Sequence, residues 1–341
     1  MAWYRREARD LPWRRSRDPY HVWLSEILLQ QTRVDQALPY YLRFLEAFPS
    51  VHALAAAPPD RVLKLWEGLG YYTRARNLHR AAKVIARQYG GQFPRSPELL
   101  QLLPGVGPYT ACAVASIAFD RAAPVVDGNV KRVLARLYDI EDAMDRPATG
   151  QKLWTLAGGL VPRTAPGDFN QAMMELGARV CTPKRPGCAL CPVAACCRAL
   201  RAGTVELRPV RGADKARPHH EVVVAVIARQ GKFLVGKRPP AGLLGGLWEF
   251  PGGKVNAGES HEQALLRECR EELGIEVRPG GLIACVRHAY THFRVTLNVY
   301  RCALVSGRPH PRSHTELRWV RSAEFSELAF PKANHKFLHL L

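Results

Sequence analysis

The sequence is short of acidic residues, and it has no long apolar run. Asp and Glu number 30 against 49 Lys and Arg in 341 residues, which gives a formal net charge of +19. No stretch of 18 apolar residues occurs and no apolar segment follows the basic residues 1–17, so we expect neither a membrane span nor a signal peptide. Such a charge favours polyanionic partners, although a merely soluble basic protein has the same composition. We therefore expect a cytoplasmic or nucleoid-associated protein.

The nine cysteines are an odd number, and five of them lie within seventeen residues. In a reducing compartment this crowding indicates a metal site rather than disulfides. Four thiolates in one short segment can hold a tetrahedral zinc ion or an iron–sulfur cubane. The candidate ligands are Cys181, Cys188, Cys191 and either Cys196 or Cys197. The spacing alone decides neither the metal nor the fourth ligand.

The length favours two or three domains, and the chain changes character along its course. Residues 20–125 show apolar residues at roughly helical intervals, interrupted by Pro and Gly. Residues 199–219 are rich in Arg and Pro, lack an apolar period and are predicted to form a linker. Strands are then expected at 222–228, 233–235, 282–287, 293–304 and 316–320, with one helix at 260–273. The sequence thus predicts a multidomain protein, with an all-α domain over 1–198 and an α+β domain over 220–341.

Glu26 lies in a helix-like segment in which nearly every neighbour is apolar. A carboxyl buried in such surroundings has a raised pKa and can donate a proton near pH 7. A solvated or ion-paired Glu on the polar side of the helix is the alternative. The polar residues 30–32 that follow would form the end of this helix, facing either solvent or a ligand.

Two glycine-containing loops have the composition of nucleic-acid contacts. Residues 68–72 (GLGYY) join aromatic side chains to a basic helix-like segment, which suits unstacked bases and phosphates, although a surface turn with packed tyrosines is equally compatible. Gly105 and Gly107 lie between two predicted helices and let backbone N–H groups approach a phosphate at a helix N-terminus. This second loop resembles the helix-hairpin-helix motif, which clamps the DNA backbone without sequence preference. An ordinary tight turn between helices is the alternative.

Asp127 is a single carboxylate in a Gly-Asn turn, within residues 125–132 (VVDGNVKR). An apolar run precedes it and a basic helix-like segment follows. We place the chemistry of the first domain at this residue, although the local pattern is equally compatible with a simple helix cap.

The C-terminal domain contains a second pattern with three carboxylates. Gly253 precedes and Gly274 follows a predicted helix in which Arg267 is followed by three carboxylates at i, i+3 and i+4, as Glu268, Glu271 and Glu272. One helix face would then present all three to Mg²⁺ or Mn²⁺ beside a pyrophosphate. A solvated acidic face is the alternative. The complete pattern resembles the box of the Nudix hydrolases.

Together, the motifs of residues 1–198 resemble those of the helix-hairpin-helix DNA glycosylases that carry a four-cysteine iron–sulfur cluster. Within that superfamily they are most similar to the MutY family of adenine glycosylases, which remove adenine mispaired with 8-oxoguanine. The matching strings are LPW at 11–13, WLSE at 23–26, LQQT at 29–32, GLGYY at 68–72, LPGVG at 103–107, VDGNVKR at 126–132 and FNQA at 169–172.

The resemblance implies both the partner and the cofactor. The partner would be double-stranded DNA with an 8-oxoguanine:adenine or guanine:adenine mispair, and the protein is expected to act as a monomer. The cofactor would be a [4Fe-4S] cluster, with Cys196 as a bystander. Its ligands would be Cys181, Cys188, Cys191 and Cys197.

The resemblance also implies a reaction. Glu26 would protonate N7 of adenine, and an ionised Asp127 would stabilise or trap the oxocarbenium ion of the sugar, as in two-carboxylate glycoside hydrolysis. Tyr109 and Asn129 would orient the two carboxyl groups. Endonuclease III relatives have a strand-cutting lysine where this chain has Tyr109, so a monofunctional glycosylase is implied.

Further residues would contact the base or the DNA. Arg14 and Gln171 would line the adenine pocket, while Gln31 and Tyr71 would enter the base stack around the extruded nucleotide. The complete set of expected contacts is Arg14, Gln31, Thr32, Leu69, Tyr71, Gly105, Gly107, Gln171, Tyr290, Thr291 and His292.

Proteins of this family carry a Nudix-like C-terminal domain that reads 8-oxoguanine, and residues 290–292 match its reading loop. The box of that domain is usually degraded in the family, whereas here it is intact. An alternative is therefore a bifunctional protein whose second domain also hydrolyses an oxidised nucleoside triphosphate. The motifs are compatible as well with a glycosylase for a different mispair, such as one with thymine, and with a catalytically silent binder of damaged DNA.

Overall fold

The computed structural model describes residues 1–210, 212 and 216–341. They form two compact units, which we call the helical unit (Met1–Ala56 with Arg80–Asp214) and the sheet unit (Ala57–His79 with Lys215–Leu341). The units divide the chain close to the predicted linker, but residues 57–79 group with the sheet unit, a division that the sequence did not indicate. No helix among the described residues is long and apolar enough to cross a membrane.

Thirteen α-helices are found in the described part of the chain. They are α1 Ala2–Glu7, α2 Pro19–Leu29, α3 Val34–Ala47, α4 Val51–Ala56, α5 Pro59–Trp66, α6 Thr73–Gln88, α7 Pro97–Leu100, α8 Pro108–Phe119, α9 Gly128–Leu137, α10 Pro147–Leu160, α11 Pro166–Arg179, α12 Arg198–Ala202 and α13 His261–Leu273. Of these, α5 belongs to the sheet unit, as do α13 and the beginning of α6.

Helices α2 and α8 form the centre of the helical unit. Helix α2 buries eight of its eleven residues, and α8 buries every residue from Thr110 to Ile117. A helix that is apolar on all sides belongs in a core. Because α2 packs against α8, Glu26 in the middle of α2 comes next to Tyr109 in the first turn of α8.

Helix α11 approaches its neighbours closely at two glycines. A Cβ atom on Gly177 would lie 2.6 Å from the Cβ of Asn129 in α9, and one on Gly167 would lie 2.6 Å from the carbonyl oxygen of Ser116 in α8. Both distances are shorter than a Cβ atom allows, so these contacts require glycine. Gly177 therefore lets α11 lie against the first turn of α9, which Asp127 caps, and Gly167 lets it lie against α8.

The first part of the predicted linker 199–219 is ordered and packs on the helical unit. It contains α12 and a 3₁₀ turn, Val205–Leu207. The Arg208 side chain is nearly buried and pairs with Asp139 at 2.8 Å and with Glu141 at 2.8 Å. The arginine- and proline-rich composition, which predicted a linker, therefore belongs to a packed segment in this first part. Residues 211 and 213–215 of the predicted linker lie outside the described residues.

The described part of the sheet unit contains seven strands, which confirms the α+β prediction. They are β1 His219–Arg229, β2 Lys232–Lys237, β3 Trp248–Glu249, β4 Gly252–Lys254, β5 Glu276–Ala289, β6 Arg294–Ser306 and β7 Glu316–Val320. The path is β3-β2-β1-β6-β5, with β4 paired to β1 and β7 paired to β2. The pairing of β1 with β6 is parallel. The short strands β3 and β4 were not expected from the sequence.

Strand β1 is buried on both faces of the sheet. Val224 and Val226 contribute to one core, which contains Phe250 and Phe330. The alternate residues of the strand contribute to a second core under α13. Side chains along a strand alternate between faces, so a continuous apolar run marks a strand that is covered on both sides.

Candidate active site

A cleft of about 940 Å³ opens in the helical unit between the segment after α1, helix α2, and the first turns of α8 and α9. Helix α11 closes its other side. The volume is in the range of small-molecule sites. The cleft brings together eight residues that the sequence singled out: Arg14, Glu26, Gln31, Thr32, Tyr109, Asp127, Asn129 and Gln171.

Of the two candidate catalytic carboxyl groups in the cleft, that of Glu26 is the more deeply buried, with 5% of the residue's surface exposed. The pKa of its carboxyl is raised to about 7, chiefly by burial; the hydrogen bond from Tyr109 lowers the pKa, and the charge of Asp127 raises it. The Tyr109 hydroxyl donates to Glu26 Oε2 at 2.6 Å. The structure thus confirms the burial and the raised pKa that the sequence predicted.

Asp127 caps helix α9 and lines the cleft at the same time. Its Oδ1 accepts the backbone N–H of Val130 at 2.7 Å, and its Oδ2 accepts the side-chain amide of Asn129 at 3.0 Å. Burial raises the pKa of this carboxyl, but both hydrogen bonds lower it. The two interpretations of residues 125–132, helix cap and site residue, are therefore compatible with each other.

The arrangement can move a proton and balance a charge. A carboxyl with a pKa about 7 is half protonated near neutral pH and can act as a general acid. The carboxyl of Asp127, which accepts two hydrogen bonds, is the better stabilised anion of the pair. Two carboxyl groups with such different surroundings can serve as the acid and the charged partner of a hydrolytic site.

Sequence reasoning missed a buried ion cluster at one wall of the cleft. The Glu175 side chain is fully buried, with Arg9 Nε at 2.7 Å and Arg14 Nη2 at 2.8 Å. Desolvation would raise its pKa, but the two guanidinium groups lower it to about 2. Arg14 is therefore held by Glu175. The spacing of Glu175 four residues after Gln171 places both on the same face of α11, but it gives no sign of the arginine partners.

The loop at residues 101–107 has the geometry expected of the hairpin. Gly105 has φ +76, and Gly107 is the N-cap residue of α8 with Pro108 in its first turn. Gly107 is exposed, and a Cβ on it would meet nothing within 4 Å. The open space above Gly107 leaves room for another molecule to approach the backbone at this helix N-terminus.

The cysteine-rich segment lies against helix α9. Arg136 donates to Cys181 Sγ at 3.4 Å and to the carbonyl oxygen of Thr182 at 2.7 Å, and Cys197 Sγ contacts the Arg136 carbonyl at 3.4 Å. Burial raises the thiol pKa of Cys188, and nearby Cys181 and Cys197 add to the rise. The same holds for Cys191. These four thiols therefore neighbour one another, whereas Cys196 is exposed.

The sheet unit holds the other predicted DNA contacts. The Tyr71 ring lies 6.4 Å from the ring of His292 in an edge-on arrangement, so these two candidates are neighbours. Tyr71 has φ +49, a conformation rare for a residue with a side chain. Thr291 is exposed. Leu69, in contrast, is 7% exposed and packs inside.

Tyr290 also contributes more to packing than to an exposed surface. Its ring stacks on Phe293 with centroids 4.8 Å apart and lies against the aromatic core of the sheet. Burial raises the pKa of its hydroxyl to about 12.

The three carboxylates of α13 are not arranged as one ligand set. Arg267 donates to Glu268 at 2.7 Å and to Glu271 at 3.3 Å. Glu271 is 61% exposed, whereas Glu272 turns inward and accepts the backbone N–H of Gly252 at 3.0 Å. The helical spacing is as predicted, but the side chains point to different partners, because Arg267 lies between two of them.

Comparison with known proteins assigns each part of the chain. Residues 24–158 match the family of HhH-GPD superfamily base excision DNA repair proteins, and residues 222–340 match the NUDIX domain. The adenine DNA glycosylase of Rattus norvegicus is 37% identical over 98% of this chain and 76% of its own length. That of Homo sapiens is 38% identical over 98% of this chain and 72% of its own length.

Among solved structures, the chain is similar to a thermostable thymine-DNA glycosylase. The two share 32% identity with a TM-score of 0.53, over 59% of this chain and 93% of the other. A trapped endonuclease III–DNA covalent intermediate is similar at 25% identity and a TM-score of 0.51, over 59% of this chain and 92% of the other. Both likenesses cover a little more than half of this chain.

Proposed function

Because the chain belongs to the adenine DNA glycosylase family, we propose that the cleft of its helical unit removes adenine mispaired with 8-oxoguanine or guanine, by acid-assisted release of the base. The protein is a DNA N-glycosylase of base-excision repair with a Nudix-like domain. A buried carboxyl with a pKa about 7, Glu26, lies in the same cleft as a carboxylate held by two hydrogen bonds, Asp127. This pair of carboxyl groups is the observation that supports acid-assisted release most directly.

The proposed reaction begins with a proton on Glu26. This proton passes to N7 of the extruded adenine, the bond between C1′ and N9 breaks, and its electron pair leaves with the base. Asp127 faces the positive charge that develops on the sugar, and water then completes the hydrolysis at C1′. Tyr109 places a hydroxyl 2.6 Å from Glu26, at the position where strand-cutting relatives have a lysine amine. This supports base release without strand cleavage.

Asn129 and Tyr109 act as positioning residues in this proposal. Each donates one hydrogen bond to one of the two carboxyl groups. Arg14 and Gln171 line the wall where the base would enter, and Glu175 keeps the Arg14 guanidinium in place. Gln31 is exposed with φ +57, so its side chain is available at the mouth of the cleft.

We further propose that Cys181, Cys188, Cys191 and Cys197 hold a [4Fe-4S] cluster. The four thiols neighbour one another beside Arg136, and four thiolates can hold either a zinc ion or a cubane. The family to which the chain belongs favours the cubane. The cluster would brace the segment 181–197 against Arg136, and iron and zinc contents of the purified protein test this assignment.

In the sheet unit we propose that the loop 290–292 reads 8-oxoguanine. The neighbouring rings of His292 and Tyr71 support this, because they place the candidate reader beside the candidate wedge. We do not extend the proposed activity to hydrolysis of an oxidised nucleoside triphosphate, since Arg267 occupies two of the three carboxylates it was expected to use.

Single-turnover base release from three duplexes tests the proposed substrate. We expect cleavage after alkali at adenine opposite 8-oxoguanine, slower cleavage at adenine opposite guanine, and none at thymine opposite guanine. Release of thymine without release of adenine would overturn the proposal in favour of another mispair. Tight binding of the 8-oxoguanine:adenine duplex without any base release would identify a silent binder instead.

A further inference from the structure

A mostly buried acid, Glu67, stands where α5 ends and the loop 68–72, the wedge loop, begins. Its side chain is 14% exposed. Its Oε1 accepts the backbone N–H of Phe330 at 2.7 Å and lies 2.9 Å from His335 Nε2. We propose that Glu67 is a positioning residue through which recognition of 8-oxoguanine by the loop 290–292, the reading loop, speeds release of the mispaired adenine. This inference rests on the proposed function, which assigns the two loops their roles.

The end of α5 is attached to the segment 328–337 of the sheet unit by two residues. Lys64 Nζ donates to Glu67 Oε2 at 2.6 Å and to the carbonyl oxygen of Leu328 at 2.9 Å. With the N–H of Phe330, two neighbouring backbone groups of the segment are therefore bound. Burial alone would raise the pKa of the Glu67 carboxyl, but its hydrogen bonds lower the pKa below the ordinary value, so the group is charged. Hydrogen bonds to a charged group are stronger than neutral ones.

The segment 328–337 is also fixed to the hairpin that carries the reading loop. Phe330 is fully buried in the aromatic core against which Tyr290 packs. Lys336 Nζ donates to the carbonyl oxygen of Arg287 at 2.7 Å, in the strand β5 that leads into the reading loop. Closely packed side chains transmit small displacements to their neighbours. The position of the reading loop therefore bears on the segment that holds α5.

The wedge loop is braced by its own hydrogen bonds, so Tyr71 follows the end of α5. The Trp66 indole donates to the carbonyl oxygen of Gly70 at 3.0 Å, and the N–H of Gly68 donates to the Tyr72 hydroxyl at 3.1 Å. Tyr71 lies between these two closures, in the left-handed backbone conformation that they enclose. A loop closed in this way moves with the helix before it.

The chemistry of the two possible opposite bases makes this role depend on the lesion. Extruding adenine requires unstacking and unpairing, and a wedge side chain in the gap opposes the return of the base. Guanine offers the reading loop neither the O8 acceptor nor the N7–H donor of 8-oxoguanine. The reading loop therefore holds the wedge loop in place, through Glu67, when 8-oxoguanine is bound. The contacts of Glu67 should matter for that duplex and not for the one with guanine.

Single-turnover base release by the full-length protein, from an 8-oxoguanine:adenine and a guanine:adenine duplex, tests this role. We expect Glu67→Ala to lower the ratio of the two rates about fivefold or more, by slowing the first and leaving the second within about twofold of the wild type. Asp60→Ala is the matched control, because it removes a charged contact at the other end of α5, the pair with Lys237 at 2.6 Å. Its ratio should equal that of the wild type.

Equal slowing on both duplexes would show a merely structural role and would overturn the inference, as would an unchanged ratio or an equal fall in Asp60→Ala. Glu67→Gln still accepts the Phe330 N–H, so it should show the same change to a smaller extent. It replaces Glu67→Ala if thermal unfolding shows that the latter does not fold. A wild type that releases no adenine from either duplex would overturn the proposed function itself. Equal wild-type rates on the two duplexes would overturn this inference and leave the glycosylase activity standing.

A combined variant shows whether Glu67 acts through the reading loop. His292→Ala removes a side chain of that loop and should itself lower the ratio of the two rates. Adding Glu67→Ala to it should then lower the ratio by less than about twofold further, because changes that act through one set of contacts are not additive. Fully additive effects would separate Glu67 from the reading loop and would contradict the proposal.

Discussion

Glu26 in the helical unit and Glu272 in the sheet unit are both mostly buried, and burial raises the pKa of both carboxyl groups. Their neighbours differ. Glu26 has a neutral hydroxyl at 2.6 Å, while Glu272 has the His314 imidazole and the Glu249 carboxylate within 4.8 Å. Burial alone therefore does not define a role. The first environment sets the acid beside a neutral hydroxyl, and the second sets it beside an imidazole and another carboxylate.

The strongest test of this contrast makes the same Glu→Gln substitution once in each unit. Glu26→Gln removes the proposed proton donor, and we expect single-turnover base release to fall on the order of 10³-fold, within the usual contribution of a general acid. Glu272→Gln should leave base release within twofold of the wild type. An 8-oxoguanine:adenine duplex is the substrate for both. A similar rate in the wild type and in Glu26→Gln would contradict the assignment of the acid.

The second test concerns the charged partner of Glu26. Asp127→Asn keeps a good cap for α9, because Asn accepts the Val130 N–H as well as Asp does. It removes the charge, so we expect base release to fall about 10²- to 10³-fold while binding of the duplex is retained. Gel-shift affinity and single-turnover rate measure the two effects. Loss of binding together with rate would show a folding defect, and an unchanged rate would remove Asp127 from the site.

The third test uses pH. The proposed mechanism requires the acid form of Glu26, whose pKa is raised to about 7, so we expect activity below that pH and its loss above it. We expect the single-turnover rate to fall about tenfold per pH unit once the pH exceeds 7. Duplex affinity measured over the same range separates this loss from weaker binding. A rate that stays flat up to about pH 9 would be incompatible with a proton supplied by this carboxyl.

The smallest expected effect concerns the missed ion cluster of the cleft. Glu175 has a pKa of about 2 in the folded protein, below its ordinary value of 4.5, so its stabilising contribution is complete above pH 4.5 and is lost as the pH falls toward 2. Glu175→Gln should lower stability by up to about 3 kcal/mol at pH 7. Thermal unfolding of both proteins at pH 7 and pH 3 should show a difference that shrinks at the lower pH. An equal difference at both would contradict an ionic role.

Much of the helical unit could be predicted from the sequence, because the local sequence patterns around Glu26 and Asp127 agree with the geometry of these residues in the fold. Glu26 is surrounded by apolar residues in the chain and is buried in the fold, and Asp127 precedes a helix and caps it. Glu175 escaped notice because a buried acid is stabilised by arginines that are more than 160 residues away in the chain. Local spacing carries no information about such a pair.

The sheet unit was less predictable, since its residues meet through long-range contacts. The helix 261–273 and the row of three carboxylates were evident from spacing. The direction of each carboxylate was not, because Arg267 and the N–H of Gly252 decide it. The grouping of residues 57–79 with this unit was equally hidden, because it depends on contacts such as Lys237 with Asp60 at 2.6 Å.

The sequence by itself determined the family, the two kinds of unit and the candidate residues of the proposed two-carboxylate site, because strings, periodicity and glycine positions are local properties of the chain. Only the tertiary structure decided what each acid faces. It placed Tyr109 on Glu26, gave Glu175 its two arginines, and directed Glu272 to the N–H of Gly252 and Glu268 to Arg267. The physical reason is that burial and partner charges fix a carboxyl's chemistry, and both come from residues distant in the chain.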